Sequence, residues 1–315
     1  MSYQIFIDGQ AGTTGLQVAD RLSRHSEVSL ITLADSERKS ATARRDAFAR
    51  ADAAILCLPD EAAMEAAEMA AELDVVLIDA STAHRTNPNW VYGMAELSAA
   101  QRAQIADAKY IANPGCYPTG FLALIRPLRD AGILDENALL SVPAVSGYTG
   151  GGKGLIDAYE NNQAPVQFSY GHNLAHKHVP EMTKLAALKN APLFMPSVGD
   201  FPQGMLVHVP LFANQLAKTV SGADIAAIYH SAYEDSQIIS SYDACDMTPL
   251  YNGSFLSADH LANSDRLEIF TFTGQEEGQF WLTARLDNLG KGASGAAIQN
   301  MNIALGIDEV TGLSL

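Results

Sequence analysis

Short apolar runs at Tyr3–Ile7, Val28–Leu33, Ala53–Leu58, Val75–Ile78 and Tyr110–Ala112 punctuate the first part of the chain. Each is too short for a buried helix, and all but Val28–Leu33 end directly at Asp, Asn or Pro, so each predicts a buried strand. Helical spacing fills the gaps. Leu16, Ala19 and Leu22 follow the first run, and an alanine-rich stretch from Glu61 to Leu73 follows the third. Strands alternating with helices predict an α/β fold with a doubly wound parallel sheet. Past residue 116 the texture changes. A helix is expected at Gly120–Arg129 and a strand at Leu139–Val145, followed by a glycine-rich loop, Ser146–Gly154. Strand-like stretches recur at Met205–Leu211, Leu267–Thr273 and Phe280–Leu286, and Ala296–Leu305 reads as a helix. That second texture predicts an α+β region with a mixed or antiparallel sheet. There is no internal repeat and no low-complexity segment.

Composition narrows the partners. Apolar residues make up 48% and charged residues 18%, a globular balance. Lys and Arg number 20 against 36 Asp and Glu, a net charge of −16. Nucleic acid and anionic membranes both call for a basic surface, so neither is expected as the partner. A small anionic substrate remains compatible, because a site can be locally basic. No apolar run reaches the roughly 18–20 residues of a membrane span, and no signal-peptide pattern opens the chain, so a cytoplasmic location is expected. Cys57, Cys116 and Cys245 are widely spaced without a CxxC, which argues against a disulfide framework or a zinc site; no metal is expected.

The chemistry-bearing residues sit at the boundaries of these elements. Gly9-x-x-Gly12-x-x-Gly15 lies between a strand and a helix, with Thr13 and Thr14 inside it. Glycines there let the backbone approach a pyrophosphate, which the helix start favours. Asp35 stands near the position of an acid that binds a ribose diol, as in NAD. Ser36 and Arg38 follow it and suit the extra phosphate of NADP, which is the cofactor expected. Asn113-Pro-Gly-Cys116-Tyr-Pro-Thr119 places Cys116 at a helix start, with Pro118 early in the helix. Unpaired amides and the helix dipole there stabilise a thiolate and an oxyanion. Cys57 sits in an apolar strand and reads as a small buried hydrophobe. His172, His176 and His178 cluster, and either of the last two can serve as acid/base to Cys116. Gly147–Lys153 nearly matches a P-loop, but Gly154 replaces the required Ser or Thr, so a triphosphatase is not expected.

A dinucleotide loop, a helix-start thiol and a histidine suggest reduction of an acyl group through a thioester. With Ile55–Asp60, Leu77–Arg85, Val91-Tyr-Gly, Ser146–Lys153, His176–Glu181 and Asn288–Ala293, the whole chain resembles the N-acetyl-γ-glutamyl-phosphate reductases of arginine biosynthesis, in their shorter bacterial form. The resemblance implies a Rossmann-type dinucleotide-binding domain at 1–115, onto which a C-terminal helix at about 290–315 packs back. It implies a catalytic and oligomerisation domain at 116–289, in a homo-oligomer (dimer or tetramer). It implies Cys116 as nucleophile and His176 as acid/base, with His178 as the fallback. Leu58, Pro59, Ser81, Gly150, Gly151 and Asn288 fall to the cofactor. Arg85, Asn113, Lys153 and Tyr170 fall to the substrate, and Gln203 receives no role. Two other readings stay open: an acyl-phosphate reductase like aspartate-semialdehyde dehydrogenase, and a non-catalytic NADP-binding redox sensor. In the former the cysteine is usually followed by small hydroxyl residues, whereas Tyr117-Pro118 follow it here.

Overall fold

The computed structural model describes residues 2–315. Its backbone divides into two units, one of residues 1–115 with 293–314 and one of residues 116–292, with Leu315 grouped in the second. No helix among the described residues is long and apolar enough to cross a membrane.

The first unit runs β1 (Tyr3–Asp8), α1 (Thr13–Leu22), β2 (Val28–Ile31), α2 (Ala41–Arg50), β3 (Ala53–Leu56), α3 (Asp60–Ala70), β4 (Val76–Asp79), β5 (Val91–Tyr92), α4 (Ala99–Ala106) and β6 (Tyr110–Ala112). Its strands are all parallel, in the order β2-β1-β3-β4-β6-β5. Successive side chains take opposite faces. Ile5, Ile7, Ile55 and Ile78 pack with Val18 and Leu22 of α1, and with Ile298 and Met301 of the C-terminal helix Gly295–Ala304. Phe6, Ala54, Leu56 and Leu77 pack with Phe48 of α2 and Ala66 of α3. Burial on both faces is why these strands read as unbroken apolar runs. β2 stops at Ile31, short of the expected Leu33. It is an edge strand paired only with β1, and Leu33 joins the core as a side chain without extending the ladder. The strand order reverses between β1 and β3. In doubly wound sheets the loops after such strands flank the ligand crevice.

The second unit runs α5 (Cys116–Asp130), β7 (Ser141–Gly147), α6 (Lys153–Glu160), β8 (Gln167–Ser169), α7 (Val179–Leu185), β9 (Leu193–Gly199), β10 (Met205–Phe212), α8 (Gly222–Tyr233), β11 (Ile239–Ser241), β12 (Leu267–Thr273) and β13 (Gln279–Leu286). The sheet is mixed, ordered β11-β12-β13-β10-β7-β9-β8, with β7/β9 and β11/β12 parallel. One face buries Val207, Val209, Leu282 and Ala284 of β10 and β13 beneath α5, while α8 packs on β11 and β12. Tyr229 and Tyr233 of α8 tie the two helices by donating to the Leu124 and Ala123 carbonyls. The opposite face leaves Leu193, Met195, Phe212 and Trp281 exposed, with Pro210 and Phe272 flanking Trp281 in register.

Arg285 is the largest fully buried side chain among the described residues. Its guanidinium pairs with Glu268 at 2.5 Å and lies 5.0 Å above the Phe270 ring. Tyr242 donates to the other Glu268 oxygen at 2.8 Å. Arg285→Ala leaves that carboxylate buried without its cation, which costs about 3–5 kcal/mol. Urea unfolding at fixed protein concentration is expected to report that loss. A variant within about 1 kcal/mol of the parent would mean the pair is not buried as described.

Candidate active site

The glycine loop follows β1 directly. Gly9 has φ +89°, and a Cβ there would lie 2.3 Å from the Cys57 carbonyl oxygen, so only glycine turns the chain at this point. Gly12 differs. Its φ is −76°, and a Cβ would meet nothing nearer than 3.5 Å. Neither backbone nor packing demands glycine at that position, so the space in front of it is left for something else. Gly12 caps α1 without a side-chain hydrogen bond, and Thr13, Thr14 and Gly15 form the first turn. First-turn amides have no partner within their own helix, and they point at this space. Loop and helix start therefore fit a dinucleotide pyrophosphate.

Around the loop, Asp8 is buried and pairs with Arg44 of α2 at 2.6 Å. Burial raises its carboxyl above the usual range, against the pull of Arg44 and of the Gly9 amide. Ser36 is exposed, and Arg38 pairs with Asp35 at 2.7 Å on the surface. After β3, Cys57 precedes Leu58 and Pro59. Burial, then the Asp79 and Asp8 carboxylates, push its thiol up to about 12, which keeps it inert. Asp79 gathers its neighbours, receiving the Ser81 amide and hydroxyl at 2.8 Å each and His84 Nδ1 at 2.7 Å. His84 stacks on Trp90 at 3.9 Å. Arg85 gives Nε to the Asn113 carbonyl at 2.9 Å and Nη2 to the Ala80 carbonyl at 3.2 Å. The Asn113 side chain joins the Ala293 carbonyl and the Asn300 amide at 3.0 Å each.

In the second unit, Cys116 is the first residue of α5 and half-buried. Phe121, Leu122, Leu124, Ile125 and Leu128 bury the helix, and Gly120 seats it. A Cβ on Gly120 would lie 2.8 Å from Val207 Cγ2. A second glycine packs against Cys116 itself. A Cβ on Gly292 would lie 2.8 Å from Cys116 Cβ and 2.9 Å from the Asp287 carbonyl oxygen. Spacing alone gave no hint of this contact, which joins residues far apart in the chain.

Tyr117 and Tyr170 hydroxyls lie within electrostatic reach of the Cys116 thiol. Burial raises Tyr117 well above its ordinary value and Tyr170 to about 12, so both stay protonated at neutral pH and neither serves as a base. His176 is half-buried, with its ring 5.6 Å from Tyr170, 5.1 Å from Phe194 and 4.7 Å from His178. Burial, then Lys177, holds it below the usual histidine value, hence neutral at pH 7. Its Nδ1 accepts the His178 amide at 3.2 Å, which leaves the neutral ring's proton on Nε2. His178 is buried and opens α7.

β7 leads into the second glycine loop, where Thr149, Gly150 and Gly151 form a single turn before α6. Asn288 helps to hold it. Its Nδ2 donates to Thr149 Oγ1 at 3.0 Å, and its Oδ1 accepts the Gly204 amide at 2.9 Å. Gly150 leaves 3.5 Å of clearance before Asn288. Lys153 starts α6, and its ammonium has no ion-pair partner among the described residues. Cys245 lies exposed in a turn with φ +61°.

Residues 116–288 match the family described as semialdehyde dehydrogenase, dimerisation domain, and residues 40–106 the one described as semialdehyde dehydrogenase, NAD binding domain. The chain is 48% identical to N-acetyl-gamma-glutamyl-phosphate reductase of Brucella suis, over 97% of this chain and 100% of that protein. It is 47% identical to the same-named protein of Brucella canis over the same shares. Among solved structures it is similar to aspartate semialdehyde dehydrogenase II of Vibrio cholerae complexed with ASA, with TM-score 0.74 and 16% identity over 97% of this chain and 99% of that one. Aspartate semialdehyde dehydrogenase of Candida albicans with NADP gives TM-score 0.68 and 13% identity over 96% and 99%. At such identities these structures speak for the fold alone.

Proposed function

The chain belongs to the N-acetyl-gamma-glutamyl-phosphate reductase family of oxidoreductases, and from that premise we propose that it reduces N-acetyl-γ-glutamyl phosphate to N-acetylglutamate 5-semialdehyde and phosphate, in arginine biosynthesis, through a thioester on Cys116. The observation that carries this reading is a half-buried thiol on the first residue of α5, with Gly292 against its Cβ. A helix start stabilises the thiolate and offers amides to an oxyanion.

The thiolate attacks the acyl carbon, a C–S bond forms, and the C–O bond to phosphate breaks. Phosphate leaves as an anion, with Lys153 and Arg85 as the cations assigned to it. A nicotinamide cofactor, held by Gly9, Gly12, Thr13, Thr14 and Gly15, supplies a hydride when bound. His176 carries its proton on Nε2 and keeps it, donating a hydrogen bond to the oxyanion that reduction of the thioester leaves on the former acyl oxygen. Collapse of that oxyanion breaks the C–S bond, releases the aldehyde and restores the thiolate. Tyr170 is assigned to the substrate. The bare apolar face of the second sheet suits packing against another copy of the chain, in keeping with the dimerisation-domain description matched there.

The cofactor is assigned as NADPH, with Ser36 and Arg38 on its extra phosphate. Arg38 leaves Asp35 for that phosphate. Arg38→Ala then removes a charge-assisted contact and raises the KM for NADPH about 10- to 100-fold while leaving that for NADH nearly unchanged. Equal losses for both cofactors would place the phosphate elsewhere.

The activity itself is tested in reverse, as phosphate-dependent reduction of NADP⁺ by N-acetylglutamate 5-semialdehyde with aspartate semialdehyde for comparison. Rapid turnover with the former and little with the latter is expected. Turnover only with the latter would transfer the same chemistry to the shorter acyl chain. A silent protein that still binds NADPH would be the redox sensor instead.

A further inference from the structure

Tyr117 follows the nucleophile and is only 3% exposed. Its hydroxyl donates to the Ser197 carbonyl on β9 at 3.0 Å and receives the Tyr170 hydroxyl at 3.5 Å. Its ring meets Phe194, also on β9, edge-on at 5.0 Å. Phe194 meets His176 at 5.1 Å, and His176 meets Tyr170 at 5.6 Å. These contacts close on themselves: Tyr117, Phe194, His176, Tyr170 and Tyr117 again. The histidine is therefore held from two sides by rings that both rest on one residue of α5. His178 completes the packing, 4.7 Å from His176 and 6.0 Å from Tyr117.

We propose that Tyr117 is a positioning residue, which through its hydroxyl and Tyr170 fixes His176 relative to the helix start that bears Cys116. The inference rests on the roles given above to Cys116 and His176. The ring alone is not enough. Phenylalanine at 117 keeps the stacking area, but it strips the Ser197 carbonyl of a donor and the Tyr170 hydroxyl of its acceptor in a buried place. An unsatisfied buried hydroxyl turns toward water where it can. Tyr170 then rotates away, and one wall of the His176 site goes with it. The titratable groups facing His176 are Lys177 and His178 from its own segment and Tyr170 from the loop after β8. Phe194 of β9 is neutral, and Tyr117 of α5 adjoins Phe194, His178 and Tyr170. Opening that wall hydrates the imidazole.

The test is the pH dependence of Cys116 alkylation by iodoacetamide in the full-length protein, read on the Cys116 peptide so that exposed Cys245 does not interfere. The parent is expected to show an inflection that His176→Asn removes. In Tyr117→Phe that inflection moves up by about half a pH unit, the direction in which hydration takes a histidine. The alkaline plateau, which reports the thiolate, stays put. kcat falls about tenfold with KM for the acyl phosphate little changed, a fraction of what one oxyanion donor usually contributes. Tyr170→Phe gives the same shift, and the double variant goes no further, because the two hydroxyls act as one unit. An unmoved profile in Tyr117→Phe, or shifts that add in the double variant, would overturn the inference. An inflection that survives His176→Asn would instead remove the histidine assignment on which it rests.

Discussion

Cys116→Ala loses phosphate-dependent turnover by roughly 10⁴-fold or more, the scale seen when a covalent nucleophile is removed. Its NADPH affinity, read by fluorescence titration, stays that of the parent. The size of the loss follows from what the thiol alone supplies: a C–S bond to the acyl carbon and a leaving group in the last step. No other thiol takes its place. Cys57 sits at the end of β3 in the other unit with its thiol pushed up to about 12, and Cys245 lies exposed in a turn. Serine at 116 does not restore the rate, because a hydroxyl ionises far less readily than a thiol and leaves less readily from carbon. The substitution itself is mild, since position 116 is half-buried and alanine continues the helix. A variant with parental turnover would end the thioester account.

Gly292→Ala is the second large effect, and it acts with no change in any chemical group. The added methyl meets Cys116 Cβ at 2.8 Å and the Asp287 carbonyl oxygen at 2.9 Å. Asp287 does not yield. It is fully buried, with one carboxylate oxygen taking the Leu289 amide at 2.9 Å and the other the Asn263 amide at 2.6 Å. Cys116, at the end of its helix, is what shifts. A displacement of about 1 Å at a reacting atom costs on the order of 10²-fold in rate. kcat is therefore expected to fall about that far, with cofactor affinity intact and overpacking costing about 1–3 kcal/mol in stability. A variant with parental kcat would mean that the nucleophile is not held by this contact.

What the sequence revealed and what it hid divide along a physical line. Features carried by neighbouring residues were legible. The Gly9–Gly15 loop declares itself by a strand before and a helix after, and Cys116 by the Pro and Gly around it. Both sheets were legible in type, because apolar runs and alternation record which faces are buried. Short or charged elements were not. α2 buries only Ala47 and Phe48, which leaves no helical stripe to read, and β5 is two residues long. Pairings between distant strands were also hidden. β7 lies parallel to β9 only because α6, β8 and α7 cross between them. The same limit governs the site. Asn288 reads as a cofactor group in the sequence, and what the sequence could not show is that its amide also ties the second glycine loop to Gly204. Tyr117 and Gly292 lie within motifs, but the sequence alone assigns them no role of their own; their importance lies in what the fold brings against them.

The most direct test of the thioester is a single turnover without reduction. Protein free of cofactor is mixed with N-acetyl-γ-glutamyl phosphate and quenched in acid. Phosphate is counted, and the Cys116 peptide is weighed by mass spectrometry. The account predicts a burst of one phosphate per site and an N-acetylglutamyl adduct on Cys116, discharged when NADPH is added. Phosphate release that needs NADPH from the start, or an adduct on any other residue, would contradict it.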